Sequence, residues 1–256
     1  MNTLRVEREG ALAVLRLDKK RGNSIDEPMV EDLVEACRAL EEDEAVRGVL
    51  LASACPRLFC PGLDLIGLLD YDRSAMERFM KKFSEAVWSL YGLRKPVVAA
   101  INGHAIAGGC VFALTADYRV LRRGGFNIGL NEVRVGLPLP WTVATLLRSS
   151  VGPERIGEVA LLGRNFADEE ARDVGLVHEL AAGEELERVC LARLSEFAEK
   201  DAAALGATKR YLRAATLEAM RASEVGLLKE WLDVWFSDET RSRIRATVES
   251  LGKSKA

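Results

Sequence analysis

Apolar residues recur every three or four positions in the stretch after residue 28: Val30, Leu33, Val34, Cys37 and Leu40. That is the spacing of one helix face. Asp26 precedes the run as an N-cap and Pro28 falls in its first turn, so a helix is predicted to begin there. A second amphipathic helix is predicted over residues 74–92, with Met76, Phe79, Met80, Phe83, Val87 and Leu90 on one face and Lys95-Pro96 ending it. Apolar runs at 11–17, 48–53 (GVLLAS) and 97–101 (VVAAI) suit buried strands, and YRVLRR from Tyr118 suits another. ACPRLFCPG, which follows GVLLAS, is rich in breakers and reads as a loop. Strand and helix in alternation predict an α/β layer architecture with crossover connections. From Trp141 onward the pattern is helix after helix, broken at 175–180 (GLVHEL), and no strand is predicted beyond Glu184. Two regions are expected: an α/β core over 1–185 and a helical region over 186–256.

Composition narrows the function classes. The 256 residues are 48% hydrophobic and 29% charged, with a formal net charge of −3. No global basic field would recruit nucleic acid or an anionic membrane, so neither is an expected partner. Five cysteines without a C-x-x-C pair, beside only His104 and His178, argue against both a disulfide framework and a zinc site. A reducing cytoplasm is the expected compartment. The N-terminal stretch lacks the features of a signal or transit peptide, and no apolar segment approaches the roughly 18 residues of a membrane span.

Three stretches invite a chemical reading. In FCPGLDL (59–65), Gly62 permits a backbone conformation that other residues resist, either for a plain turn or to aim the Leu63 N–H at a ligand. In AGGCVFAL, Gly108 and Gly109 open an apolar helix although glycine is a poor helix former. Close packing explains such a pair, and so does an N–H left bare for a ligand. Neither a G-x-x-x-x-G-K-[ST] loop nor a G-x-G-x-x-G fingerprint is present, which disfavours a nucleotide cleft. In FNIGLNEVRVGLPLPW (126–141), Glu132 has apolar neighbours. It is either a solvated loop residue or, if buried, a carboxyl of raised pKa fit to act as a base.

Taken together and in order, FCPGLDL, INGHAIAGGC and GLNE resemble the crotonase (enoyl-CoA hydratase/isomerase) superfamily. RGNSI (21–25) is similar to that family's early coenzyme-A-contacting segment, and KPVVAAING to the strand leading into its site. The resemblance runs from about residue 5 to at least 180. GLDL, AGGC-x-x-ALT-x-DYR-x-L and GLNE look most like its 3,2-trans-enoyl-CoA isomerase branch.

The resemblance implies a spiral of ββα units followed by a C-terminal helical trimerisation region, hence a homotrimer or a hexamer of two trimers. It implies an acyl-CoA thioester as substrate, no metal, and no cofactor beyond the coenzyme A that the substrate carries. By motif position, the N–H groups of Leu63 and Gly108 would hold the thioester oxygen and Glu132 would be the base. Arg21, Asn23, Ser24 and Ile25 would contact coenzyme A, with Arg21 as the cation for its phosphates and Lys209, Arg210 and Lys253 as looser candidates. Pro61, Gly62, Asp64, Leu65, Val111 and Asn131 would surround the substrate, although the family's acid matching Asp64 is structural. His104 and His178 read as structural. Hydratases of the family carry a second glutamate three residues after the oxyanion glycine, and here that position is Val111. The aspartate of the dehalogenase-like members is replaced by Pro140. Moving a double bond from C3 to C2 needs one base, whereas adding water benefits from two groups. The expected reaction is therefore isomerisation of 3-enoyl-CoA to trans-2-enoyl-CoA. A hydratase, an enolate-forming decarboxylase, or a non-catalytic relative binding coenzyme A or RNA are the alternatives. Pro61 and the segment 104–107 depart from the family's usual filling and bear on the acyl pocket.

Overall fold

The chain begins with an antiparallel hairpin, β1 (Leu4–Glu9) and β2 (Leu12–Leu17), in which Leu4 faces Leu17 and Glu9 faces Leu12. Only the second strand is an apolar run; β1 alternates and is largely exposed at the sheet edge, which is why no continuous run announces it. This computed structural model describes residues 1–20, 22–222 and 224–253. Helix α1 (Glu27–Glu42) starts where expected, with the Asp26 carboxylate accepting from the Met29 N–H at 3.2 Å. Then follow β3 (Gly48–Ser53), β4 (Leu58–Cys60), the single turn α2 (Leu65–Leu68) and α3 (Arg73–Gly92). Asp72 caps α3 through the Ala75 N–H at 2.7 Å. Next come β5 (Val97–Ile101), β6 (His104–Ile106), α4 (Gly108–Leu114), β7 (Tyr118–Arg122) and β8 (Asn127–Gly129).

One sheet runs β1-β2-β3-β5-β7 and ends on β10 (Glu179–Ala181), all parallel after the hairpin. A smaller sheet, β4-β6-β8, is closed by β9 (Phe166–Ala167). The pairs β3/β4, β5/β6 and β7/β8 each add one strand to each sheet before the next helix, the ββα unit, whereas β1 and β2 both join the larger sheet. Four of these strands, of two or three residues, fall in stretches without a readable period. Between and beyond them lie a 3-10 turn (Glu132–Val135), α5 (Trp141–Ser150), α6 (Ile156–Leu161) and α7 (Asp168–Asp173).

Alternation along the strands sorts the core into two layers. Leu15, Leu51, Ala99 and Leu121 pack on the face that carries α1 and α3. Val14, Leu50, Val98 and Val120 pack on the other face, against Leu186, Cys190 and Leu194 of α8 (Leu186–Ala198). The helical region thus supplies a layer of the main sheet itself. Helix α9 (Ala202–Ala222) is fastened by Lys209 and Arg213, each 2.6 Å from a carboxylate oxygen of Asp117. Helices α10 (Glu224–Trp235) and α11 (Asp238–Lys253) turn back over the loop after the 3-10 turn. There the Trp231 indole donates to the Pro138 carbonyl at 3.0 Å and the Thr240 hydroxyl to the Gly136 carbonyl at 3.2 Å. No described helix is long and apolar enough to cross a membrane.

Candidate active site

Two backbone segments meet because β4 and β6 are paired in parallel. After β4 the chain turns at Gly62, whose φ of +99° lies in the region open to glycine. Ile25 bridges this turn: its N–H donates to the Gly62 carbonyl at 2.8 Å and its carbonyl accepts from the Asp64 N–H at 2.9 Å. Both bonds involve the neighbours of Leu63, so the Leu63 N–H itself points away from Ile25. After β6, Ala107 takes an unusual positive φ of 49° and α4 begins at Gly108. Among the described residues neither the Leu63 nor the Gly108 N–H has a backbone acceptor.

The glycine pair at the head of α4 has a double role. A Cβ on Gly109 would sit 2.0 Å from the Cys60 carbonyl oxygen, so that glycine is required by the approach of α4 to β4. A Cβ on Gly108 would fall 2.6 Å from Cδ1 of Ile25 and 3.4 Å from Cα of Gly62. Close packing therefore accounts for Gly109, while at Gly108 it also leaves an amide facing open space.

That space is a cavity of about 290 Å³, lined on one side by Leu63, Ala107, Gly108 and Val111 and on another by Asn131 and Glu132. Glu132 opens the 3-10 turn, which ends at Gly136 with φ +82°. Its backbone carbonyl accepts from the Leu137 N–H at 3.1 Å, closing the loop that presents the side chain. Glu132 lines the cavity and is half-buried as a residue, yet Oε2 is buried with no hydrogen-bond partner. Burial disfavours the charged form and pushes its pKa up to about 7, with only its own backbone N–H working the other way. Among the described residues lining the cavity, Glu132 is the one carboxylate. Val111, one turn along α4 from Gly108, is wholly buried there.

The expected site residues divide into two groups. Pro61, Leu63, Leu65, Gly108, Val111, Asn131 and Glu132 share the cavity. Asn23, Ser24, Ile25 and Asp64 lie behind it and brace it. Asn23, expected at a coenzyme A contact, is wholly buried, with its amide donating to Ser53 Oγ at 2.8 Å and the Phe59 carbonyl at 2.9 Å. The Ser24 carbonyl accepts from Lys19 Nζ at 2.9 Å. Ile25 is likewise fully buried and supports Gly108. Asp64 caps α2 and lies 3.9 Å from Lys19 Nζ. Gly62 stands beside Gly108 and shapes the turn. Arg21 lies outside the described residues, as does the side chain of Lys253. Lys209 is buried on Asp117 rather than free for a phosphate, and Arg210 is exposed.

Both histidines are held by structural bonds. His104 Nδ1 accepts from the Asn127 N–H at 3.1 Å, with its ring edge against Phe126. His178 Nδ1 accepts from the Arg119 N–H at 3.0 Å, and burial pushes its pKa down to about 4. The far walls of the cavity come from residues that helical spacing marks only as apolar: Phe83 of α3, Val143 of α5 and Trp231 of α10. Two larger concavities, of about 430 and 380 Å³, lie along the start of α9, and neither is lined by Glu132, Leu63 or Gly108. The smaller cavity is the better candidate, because bare amides and a desolvated carboxyl converge in it.

Comparison with known proteins points the same way. Residues 7–243 match the profile described as Enoyl-CoA hydratase/isomerase. The human protein named Enoyl-CoA delta isomerase 1, mitochondrial, is 28% identical over 245 residues, 95% of this chain and 81% of that protein. A Mycobacterium tuberculosis protein named as a probable enoyl-CoA hydratase is 34% identical over 227 residues, 82% of this chain and 77% of its own. The crystal structure of human mitochondrial delta3-delta2-enoyl-CoA isomerase has a TM-score of 0.96 to this chain at 28% identity, covering 100% of both.

Proposed function

The chain belongs to the enoyl-CoA hydratase/isomerase family and has the crotonase fold, and from that membership we propose that it moves the double bond of a 3-enoyl-CoA to the trans-2 position, with Glu132 as its single proton carrier. The observation that carries this reading is the lone carboxyl of raised pKa, set in a mostly apolar cavity that it shares with Val111, where a hydratase of this family would have a second acid. The thioester oxygen accepts hydrogen bonds from the Leu63 and Gly108 N–H groups. Ionised Glu132 takes a proton from C2, and the electron pair moves onto the thioester oxygen as an enolate. The two amides meet that charge with fixed dipoles, worth roughly 3 kcal/mol per donor in comparable sites. The enolate then collapses, forming the C2–C3 double bond while C4 takes the proton back from Glu132. Atoms balance, and Glu132 ends as it began.

A pKa near 7 suits both halves of this shuttle, since the group must accept and return a proton near neutral pH. The expected oligomer is a trimer or a pair of trimers; Tyr211 and Leu212 stand exposed on α9, an apolar surface that a neighbouring copy would cover. The hydratase named among the relatives supports a second reading, hydration of 2-enoyl-CoA. The two are separated by following conjugated 2-enoyl-CoA absorbance from each direction. Isomerisation is expected to exceed hydration by at least about a hundredfold, the contribution of a missing general acid or base. Hydration as fast as isomerisation would favour the hydratase reading.

A further inference from the structure

Trp231 touches the cavity and the loop that carries Glu132 at the same time. The residue is 3% exposed and lines the cavity, and its ring stacks on Trp235 with centroids 5.4 Å apart. Its indole N–H holds the Pro138 carbonyl at 3.0 Å. Pro138 directly follows Leu137, whose N–H closes onto the Glu132 carbonyl at 3.1 Å. The same bracket is gripped from α11 by the Thr240 hydroxyl on the Gly136 carbonyl at 3.2 Å, but Thr240 does not line the cavity. The two clamps thus differ in one respect: only Trp231 can feel what occupies the apolar end of the cavity.

We propose that Trp231 is a positioning and specificity-determining residue, through which an acyl tail packed against its ring steadies the 136–138 bracket and so aligns Glu132 with the reacting carbons. This rests on the reading of Glu132 as base. A tail long enough to press on the ring contributes to the rate of the chemical step and not only to binding, because remote contacts are then used to orient the reacting groups. A tail too short to reach it leaves the bracket held by its hydrogen bonds alone. Chain length is then read in kcat.

The test compares 3-hexenoyl-CoA with 3-decenoyl-CoA in wild type, Trp231→Phe, Trp231→Ala, Thr240→Val, Thr240→Ser and Glu132→Gln. Wild type is expected to show the higher kcat on the longer substrate. Trp231→Phe keeps a ring in the wall but loses the N–H that ties it to the bracket, so kcat falls about fivefold to tenfold on the longer substrate and less on the shorter one, while KM changes little. Trp231→Ala removes the wall as well, and the two substrates converge in kcat. Thr240→Val lowers kcat equally for both lengths, and Thr240→Ser restores it. Thermal unfolding of each variant, and the affinity of saturated acyl-CoA of both lengths, separate folding and binding from positioning. Turnover abolished in Glu132→Gln but unchanged in kcat in Trp231→Phe would overturn this proposal and leave the base reading standing. No turnover by wild type on either substrate would overturn the base reading and the positioning role with it.

Discussion

At the scale of residues, the defining feature is a carboxyl held where its charge is poorly solvated. Glu132 Oε2 has no partner, and the fold raises its pKa from 4.5 to about 7. The folded protein therefore binds this proton more tightly than the unfolded chain does. Stability from this group is complete below pH 4.5 and is lost as pH rises through about 7, an order-of-magnitude cost of about 3 kcal/mol. Glu132→Gln removes the penalty. In urea unfolding the variant is expected to exceed wild type in stability at about pH 8 and to match it at about pH 4. A variant equally stable or weaker at the higher pH would mean the carboxylate is well solvated after all. Such a cost at a fixed position is what a functional site accepts and a purely structural loop does not.

At the scale of elements, the site exists because α4 and the Gly62 turn approach more closely than side chains would allow. Gly109 faces a carbonyl oxygen that cannot give way, whereas Gly108 faces the tip of a flexible isoleucine. Gly109→Ala is expected to cost about 3 kcal/mol of stability or more through overpacking. Gly108→Ala should cost about 1 kcal/mol or less by unfolding, yet lower kcat/KM as its methyl crowds the amide. Equal stability losses in the two variants would contradict this division. The long amphipathic helices and buried runs were legible because many residues share one period, and α1, α3, β3 and β5 stand where the spacing predicts them. The strands β4, β6, β8 and β9 were not, since two or three residues carry no period at all. Asn23 shows a different limit: nothing in its sequence context tells that its amide is bonded to Ser53 and Phe59 inside the fold.

At the scale of the whole molecule, the site draws on both halves of the chain. The first half supplies the amides and Val111, the middle loop supplies Glu132, and α10 and α11 return to roof the cavity with Trp231 and Thr247. The apolar spacing of α10 shows a helix with a buried face, but the same spacing serves a core contact and a cavity wall, so its docking place had no sequence signal. The Asp117 tether and the Trp231 and Thr240 clamps bring that tail home onto its own core. The central claim is that one carboxyl in this assembled cavity carries the proton. The most direct measurement is the initial rate of 3-enoyl-CoA isomerisation by wild type and Glu132→Gln, at saturating substrate and about pH 8, where Glu132 is ionised. The account predicts a loss of at least about a hundredfold in kcat with the fold intact. A Glu132→Gln enzyme that isomerises as fast as wild type would contradict it.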